Sequence, residues 1–185
     1  LCTIAGGALL LAACGMDTPV PSAALATAPT RSAAAVANAV AQVPEIRVTD
    51  DRGRAVRDVL VRWRVTAGGG RVTNDSVRTD RDGRASAGGW LLGPIAGVQT
   101  LEASADGIAP VLFSADAAPG PVWQLIADSP EPSAPVVNST VLPTPRVRAV
   151  DIYGNAVPGV PILFSIVQGT GSVAGERQLS DAQGR

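Results

Sequence analysis

Histidine and lysine are both missing from the 185 residues, so all 15 basic side chains are arginine, set against 16 carboxylates for a net charge of −1. Without those two residue types, Ser-His-Asp and Cys-His catalysis, histidine-held metals, Schiff bases and phosphate-loop lysines are excluded. Cysteine is nearly missing too. Cys2 and Cys14 both lie within the first fifteen residues, so nothing downstream can form a disulfide, a thiolate zinc site or a thiol nucleophile. The absence of surplus positive charge argues against a nucleic-acid partner, and nothing in the composition calls for a cofactor. Aromatics make up only 3 %, yet apolar residues reach 46 % through Ala, Val and Leu, punctuated by 20 Gly and 15 Pro. That balance suits β-structure built from small residues and interrupted by many turns.

Residues 1–15, LCTIAGGALLLAACG, form an apolar run too short to cross a roughly 30 Å hydrocarbon core as a helix. The run reads instead as the apolar region of a signal peptide, residues 1–13, of which the given chain begins partway through. Its end, Leu11-Ala12-Ala13-Cys14-Gly15, resembles the lipobox of bacterial lipoproteins. The resemblance implies that Cys14 becomes the acylated first residue of the mature protein and that the membrane is a partner through those acyl chains. Each buried acyl methylene contributes about 0.8 kcal/mol, so several chains hold a soluble domain at a membrane. Gly15, in place of an aspartate that would imply inner-membrane retention, implies an outer-membrane or cell-surface address.

Self-similarity organises the rest. RVTDDRGRAV at 47–56 is answered by RAVDIYGNAV at 148–157, Gly53 matching Gly154 at an offset of 101. The same offset pairs Pro44 with Pro145, Val59 with Val160, Trp63 with Phe164, Gly68 with Gly169, and TDRDGR at 79–84 with SDAQGR at 180–185. A period this long predicts tandem domains with separate cores, the second stopping at Arg185 in mid-repeat. The expected divisions are 14–43 as an Ala/Pro-rich tether or degenerate first strand, 44–120 as the first domain and 121–185 as part of a second. Within the first copy, Val59, Val61, Trp63 and Val65 alternate with Leu60, Arg62, Arg64 and Thr66, the pattern of a strand buried on one face. Val160, Ile162, Phe164 and Ile166 line the same face in the second copy. Further strands are predicted at 45–49, 76–79, 97–105 and 110–117, with no helical period after residue 43, which predicts an all-β, antiparallel sandwich.

The order VTDDRGRAV, VLVRWRVTAGGGRV, TDRDGRA, GGWLLGPIAGVQTLEASA and VLFSADAAPG resembles the bacterial Ig-like domains of the invasin and intimin type. It covers about 44–120 and, as a front half, 145–185. The resemblance implies tandem Ig-like β-sandwiches of the kind found in adhesins and surface lipoproteins. Members of the intimin type hang from an outer-membrane β-barrel, whereas here the lipobox supplies the anchor.

The candidate site residues divide between chemical and architectural roles. Asp50, Asp51 and Gly53, with Asp151 and Gly154, are an oxygen set for calcium between domains, but the same residues suit tight turns, the favoured reading. Asp80 and Asp82 lie in an EF-hand-like fragment whose second copy replaces Arg81-Asp82 with Ala182-Gln183, which weakens a metal there. A glycosidase needs two carboxylates across a cleft, whereas these pairs sit in local turns, so no catalytic residue is expected. Arg62 and Arg64, near Arg47, form a basic patch or a solvated face. Trp63 belongs to the core, Trp90 is expected to plug the sandwich, and Trp123 is open to either role. The expected function is a non-enzymatic, lipid-anchored bacterial surface protein whose Ig-like modules serve as a stalk or adhesion module, its partner a protein or glycan on another cell surface. The alternatives are the stalk of a larger cell-surface enzyme and a carbohydrate-binding module.

Overall fold

The computed structural model describes residues 18–131 and 136–185. Cys14, the proposed acylation site, and the signal-peptide segment 1–13 lie outside the described residues. Every regular element among those described is a strand, and none is a helix long and apolar enough to cross a membrane.

The first unit is a sandwich. One sheet has the order β1 (Ala23–Ala26), β3 (Glu45–Thr49), β7 (Arg84–Ser86). The other runs β2 (Arg31–Ala35), β10 (Ile108–Ala118), β9 (Gly97–Ala105), β4 (Leu60–Ala67), β6 (Ser76–Arg78). A short pair, β5 (Arg71–Val72) with β8 (Trp90–Leu91), closes one end. Alternation decides which side chains go inward: in β4, Val61 and Trp63 are buried while Arg62 and Arg64 face out. From the facing strands come Ile46 and Val48, and Leu101 and Phe113 complete the layer. Trp63 and Phe113 meet as tilted rings with centroids 5.7 Å apart, a favourable aromatic geometry.

Segment 14–43, read from the sequence as a tether or weak first strand, supplies two strands of this sandwich over its described part. β1 pairs antiparallel with β3, the chain turns through Thr27–Thr30, and β2 then pairs with β10 in the opposite sheet. The unit therefore begins upstream of residue 44. The β2–β10 ladder is parallel, a departure from the all-antiparallel expectation, because the chain changes sheets without reversing direction. Val36 and Val40, just beyond β2, are buried in the core.

The second unit repeats the register of the first at the same offset. Gln124–Ala127 (β11) pairs with Val147–Val150 (β12), Gln124 opposite Val150, as Ala23 stands opposite Thr49. Pro161–Leu163 (β13) pairs with Arg177–Leu179 (β14), Ile162 opposite Gln178, as Val61 stands opposite Val77. Here the expected strand is cut short. Ile162 is buried, but Phe164 is only partly so, and Ile166, expected on the inner face, is exposed. In the first unit β4 is flanked by β9 as well as β6, whereas among the described residues only β14 pairs with β13.

Candidate functional site at the junction of the two units

A five-residue turn, D-x-x-G-x, recurs through the chain and its chemistry is the same each time. At 50–54, Asp50 Oδ1 accepts the amides of Arg52 and Arg54 at 3.0 and 2.8 Å. At 80–84, Asp80 Oδ1 accepts those of Asp82 and Arg84, and at 181–185 Asp181 Oδ1 accepts those of Gln183 and Arg185. At 151–155, Asp151 Oδ1 accepts the amides of Tyr153 and Asn155, both at 2.9 Å. The fourth position has φ of +75, +73, +84 and +79° at Gly53, Gly83, Gly154 and Gly184, a conformation that glycine adopts without steric cost. Asp50, Asp80 and Asp151 are thereby occupied as backbone acceptors, and Asp51 is exposed outside this network. Among the described residues no group of three or more His, Cys, Asp or Glu side chains is placed to hold a metal.

The turn at 151–155 does more than close on itself. Asp151 is 1 % exposed, and its second oxygen accepts the Gly120 amide at 2.8 Å and Asn155 Nδ2 at 2.9 Å. Asn155 then reaches into the first unit: its Oδ1 accepts the Ala96 amide at 3.0 Å, and its Nδ2 donates to the Pro94 carbonyl at 2.8 Å. Burial pushes the Asp151 carboxyl upward, but hydrogen bonds from Asn155 Nδ2 and the amides of Gly120, Asn155 and Tyr153 outweigh it and hold the group below its ordinary value. At Asp50 burial acts in the same sense and is likewise outweighed, by the Arg54 amide and guanidinium and the Arg52 amide.

The loop that receives Asn155 is shaped from inside. Gln99 is fully buried; its Oε1 accepts the Gly93 amide at 2.8 Å and its Nε2 donates to the Ile95 carbonyl at 2.8 Å and the Gly93 carbonyl at 3.2 Å. Two glycines make room for this. A Cβ on Gly68 would stand 2.3 Å from the Gln99 side chain, and one on Gly93 would stand 1.8 Å from the Gly68 carbonyl oxygen. The A-G-G-G and W-L-L-G stretches are thus two backbones pressed together. Gln99 carries no sequence sign of this role: it sits at an inward position of a strand where an apolar residue is the ordinary occupant.

The remaining candidates separate. Arg62 pairs with Asp106 at 3.0 Å and Arg64 with Glu102 at 3.7 Å, while Arg47 belongs to the other sheet and donates to the Asp82 carbonyl. Distinct sheets and paired charges dissolve the basic patch. Trp63 and Trp90 are buried at 3 and 1 % exposure, and Trp123, the residue before β11, is 65 % exposed.

No family model matches the chain, and no curated protein matches it significantly. Among solved structures it is similar to the FdeC adhesin of Escherichia coli, at 20 % identity over 80 % of this chain and 48 % of that one, with a TM-score of 0.47. It is similar to the D0–D1 domains of intimin at 20 % identity, over 87 % of this chain and 79 % of that one, with a TM-score of 0.33. A β-glucuronidase of Parabacteroides merdae matches at 11 % identity, over 53 % of this chain and 12 % of the enzyme, with a TM-score of 0.37. The chain thus spans less than half of the FdeC and glucuronidase chains. At these identities and scores the likenesses transfer no function, and the all-β sandwich is read from strand order and register.

Proposed function

We propose that this chain is a non-catalytic segment of a bacterial surface protein, in which tandem Ig-like modules act as a spacer and adhesion stalk anchored by acyl chains on Cys14. The observation that carries the reading is the junction: Asp151 and Asn155 of one unit bond directly to Pro94, Ala96 and Gly120. A spacer needs successive modules joined by specific contacts, and these supply them. Asp50, Asp80 and Asp151 support the same reading, since each carboxylate is spent on backbone amides of its own turn. The carbohydrate-binding alternative rests on Trp123 alone, because the other two indoles are core. The far partner is a protein or glycan of another cell surface, and the address is the outer membrane or cell surface.

The test is metabolic labelling with radioactive palmitate in bacteria expressing the protein with its native leader. The wild type is expected to carry label and to fractionate with membranes. Cys14→Ser is expected to lose both. Equal labelling of the two proteins would end the anchoring part of the reading.

A further inference from the structure

The D-x-x-G-x turns share the aspartate at the first position and the glycine at the fourth, and the fifth is Arg54, Arg84 and Arg185 in three of them and Asn155 at the junction. Each arginine is directed at its own unit. Arg54 Nε donates to Asp50 at 2.7 Å, Arg84 Nη1 to Glu45 at 2.7 Å, and Arg185 Nε to Asp128. Asn155 bonds to the preceding unit, whereas Arg185, the other fifth residue of the second unit, bonds to Asp128 within its own.

We infer that the Pro94–Ala96 loop is a docking surface for a following module, and that the fifth residue of that module's turn decides admission, asparagine being accepted and arginine refused. This deepens the stalk reading and rests on its end-to-end arrangement of modules. The reason is the polarity of the two groups. The loop offers an N–H at Ala96 and a carbonyl at Pro94, so its partner must present an acceptor and a donor together. A carboxamide does so; a guanidinium has donors only and leaves the Ala96 amide without its acceptor. The loop's form belongs to the first unit alone, because Gln99, Gly93 and Gly68 fix it from within. Asn155 is held ready as well, its Nδ2 also bonded to Asp151, so both halves of the contact are preorganised.

The experiment is nuclear magnetic resonance on the whole chain, comparing wild type with Asn155→Arg and Asn155→Ala. Amide exchange at Ala96 reads the contact, exchange at Tyr153 reads the turn itself, and residual dipolar couplings read whether the two units orient as one body. Arginine occupies the fifth position of the sister turns, so Tyr153 is expected to stay protected in Asn155→Arg, and Asn155→Ala serves should it not. Loss of two hydrogen bonds of ordinary strength predicts Ala96 exchange faster by about tenfold or more in both variants. The couplings are expected to show separate orientation of the units. If the wild-type units orient together and the variants do as well, with Ala96 exchange within about twofold of wild type, the docking inference falls and the stalk reading stands. If the wild-type units already orient independently, the end-to-end arrangement falls and takes the inference with it.

Discussion

Asp151 joins three stretches of chain through one carboxylate: its own turn, the Gly120 amide, and Asn155 on its way to Pro94 and Ala96. Its folded-state pKa lies below the ordinary value of 3.8, as does that of Asp50. A depressed carboxylate contributes stability that is complete above the unfolded value and is lost as pH falls through the lower, folded one. Urea midpoints are therefore expected to hold level from pH 7 to about pH 4 and to fall below it. Asp151→Asn is expected to lower the midpoint at pH 7 and to flatten the acid limb, since the variant has one titrating group fewer. An acid limb as steep in the variant as in the wild type would remove Asp151 from this account. The aspartates and glycines of these turns were legible in the sequence, because each D-x-x-G frame is local and its chemistry is complete within five residues. Asn155 was not. Its partners Pro94 and Ala96 lie 61 and 59 residues away, and nothing in the spacing of a single asparagine announces a contact at that range.

Elements were legible in proportion to the size of their side chains. β3 and β9 fall at the bounds their flanking Gly, Pro and Asp residues predict, 45–49 and 97–105. β1 and β2 are hidden because AALA and RSAAA carry alanine where strands usually carry Val, Ile or an aromatic, and alanine is a weak indicator of sheet. Two-residue strands such as β5 and β8 are too short for any period to show. The alanines are nonetheless structural: Ala24, Ala26 and Ala34 pack on the core beside the buried Val36 and Val40. A chain begun at residue 44 would expose that core and strip a ladder from each sheet. Each valine removed forfeits about 1.5–3 kcal/mol of burial. With the lost ladders the total reaches the ~5–15 kcal/mol that holds an ordinary domain together. Such a chain is expected to show no cooperative thermal transition by circular dichroism, whereas a chain begun at residue 18 is expected to melt sharply. A sharp melt of the shorter chain would show β1 and β2 to be dispensable.

For the molecule as a whole, the 101-residue offset governs geometry as well as sequence, since the β11–β12 and β13–β14 registers are those of β1–β3 and β4–β6 carried forward. Even the hydroxyl that braces the strand entry is conserved in role. Thr79 Oγ1 donates to the Val56 carbonyl and accepts the Val59 amide, as Ser180 Oγ does with Val157 and Val160. The parallel pairing of β2 with β10 acquires a meaning when the chain is considered under tension. Arg31 opens β2 and stands opposite Ser114, while Ala118 closes β10 opposite Ala35. Traction applied through the two chain ends therefore grips this ladder at opposite extremities. The strands must slide past one another, so their hydrogen bonds resist together instead of opening singly like a zip. Stretching single molecules from end to end is expected to give one abrupt rupture for the first unit, set by its unfolding rate, and a gradual low-force extension would contradict it. Under the proposed anchoring at Cys14, a pull on the cell is borne by the β2–β10 ladder in shear.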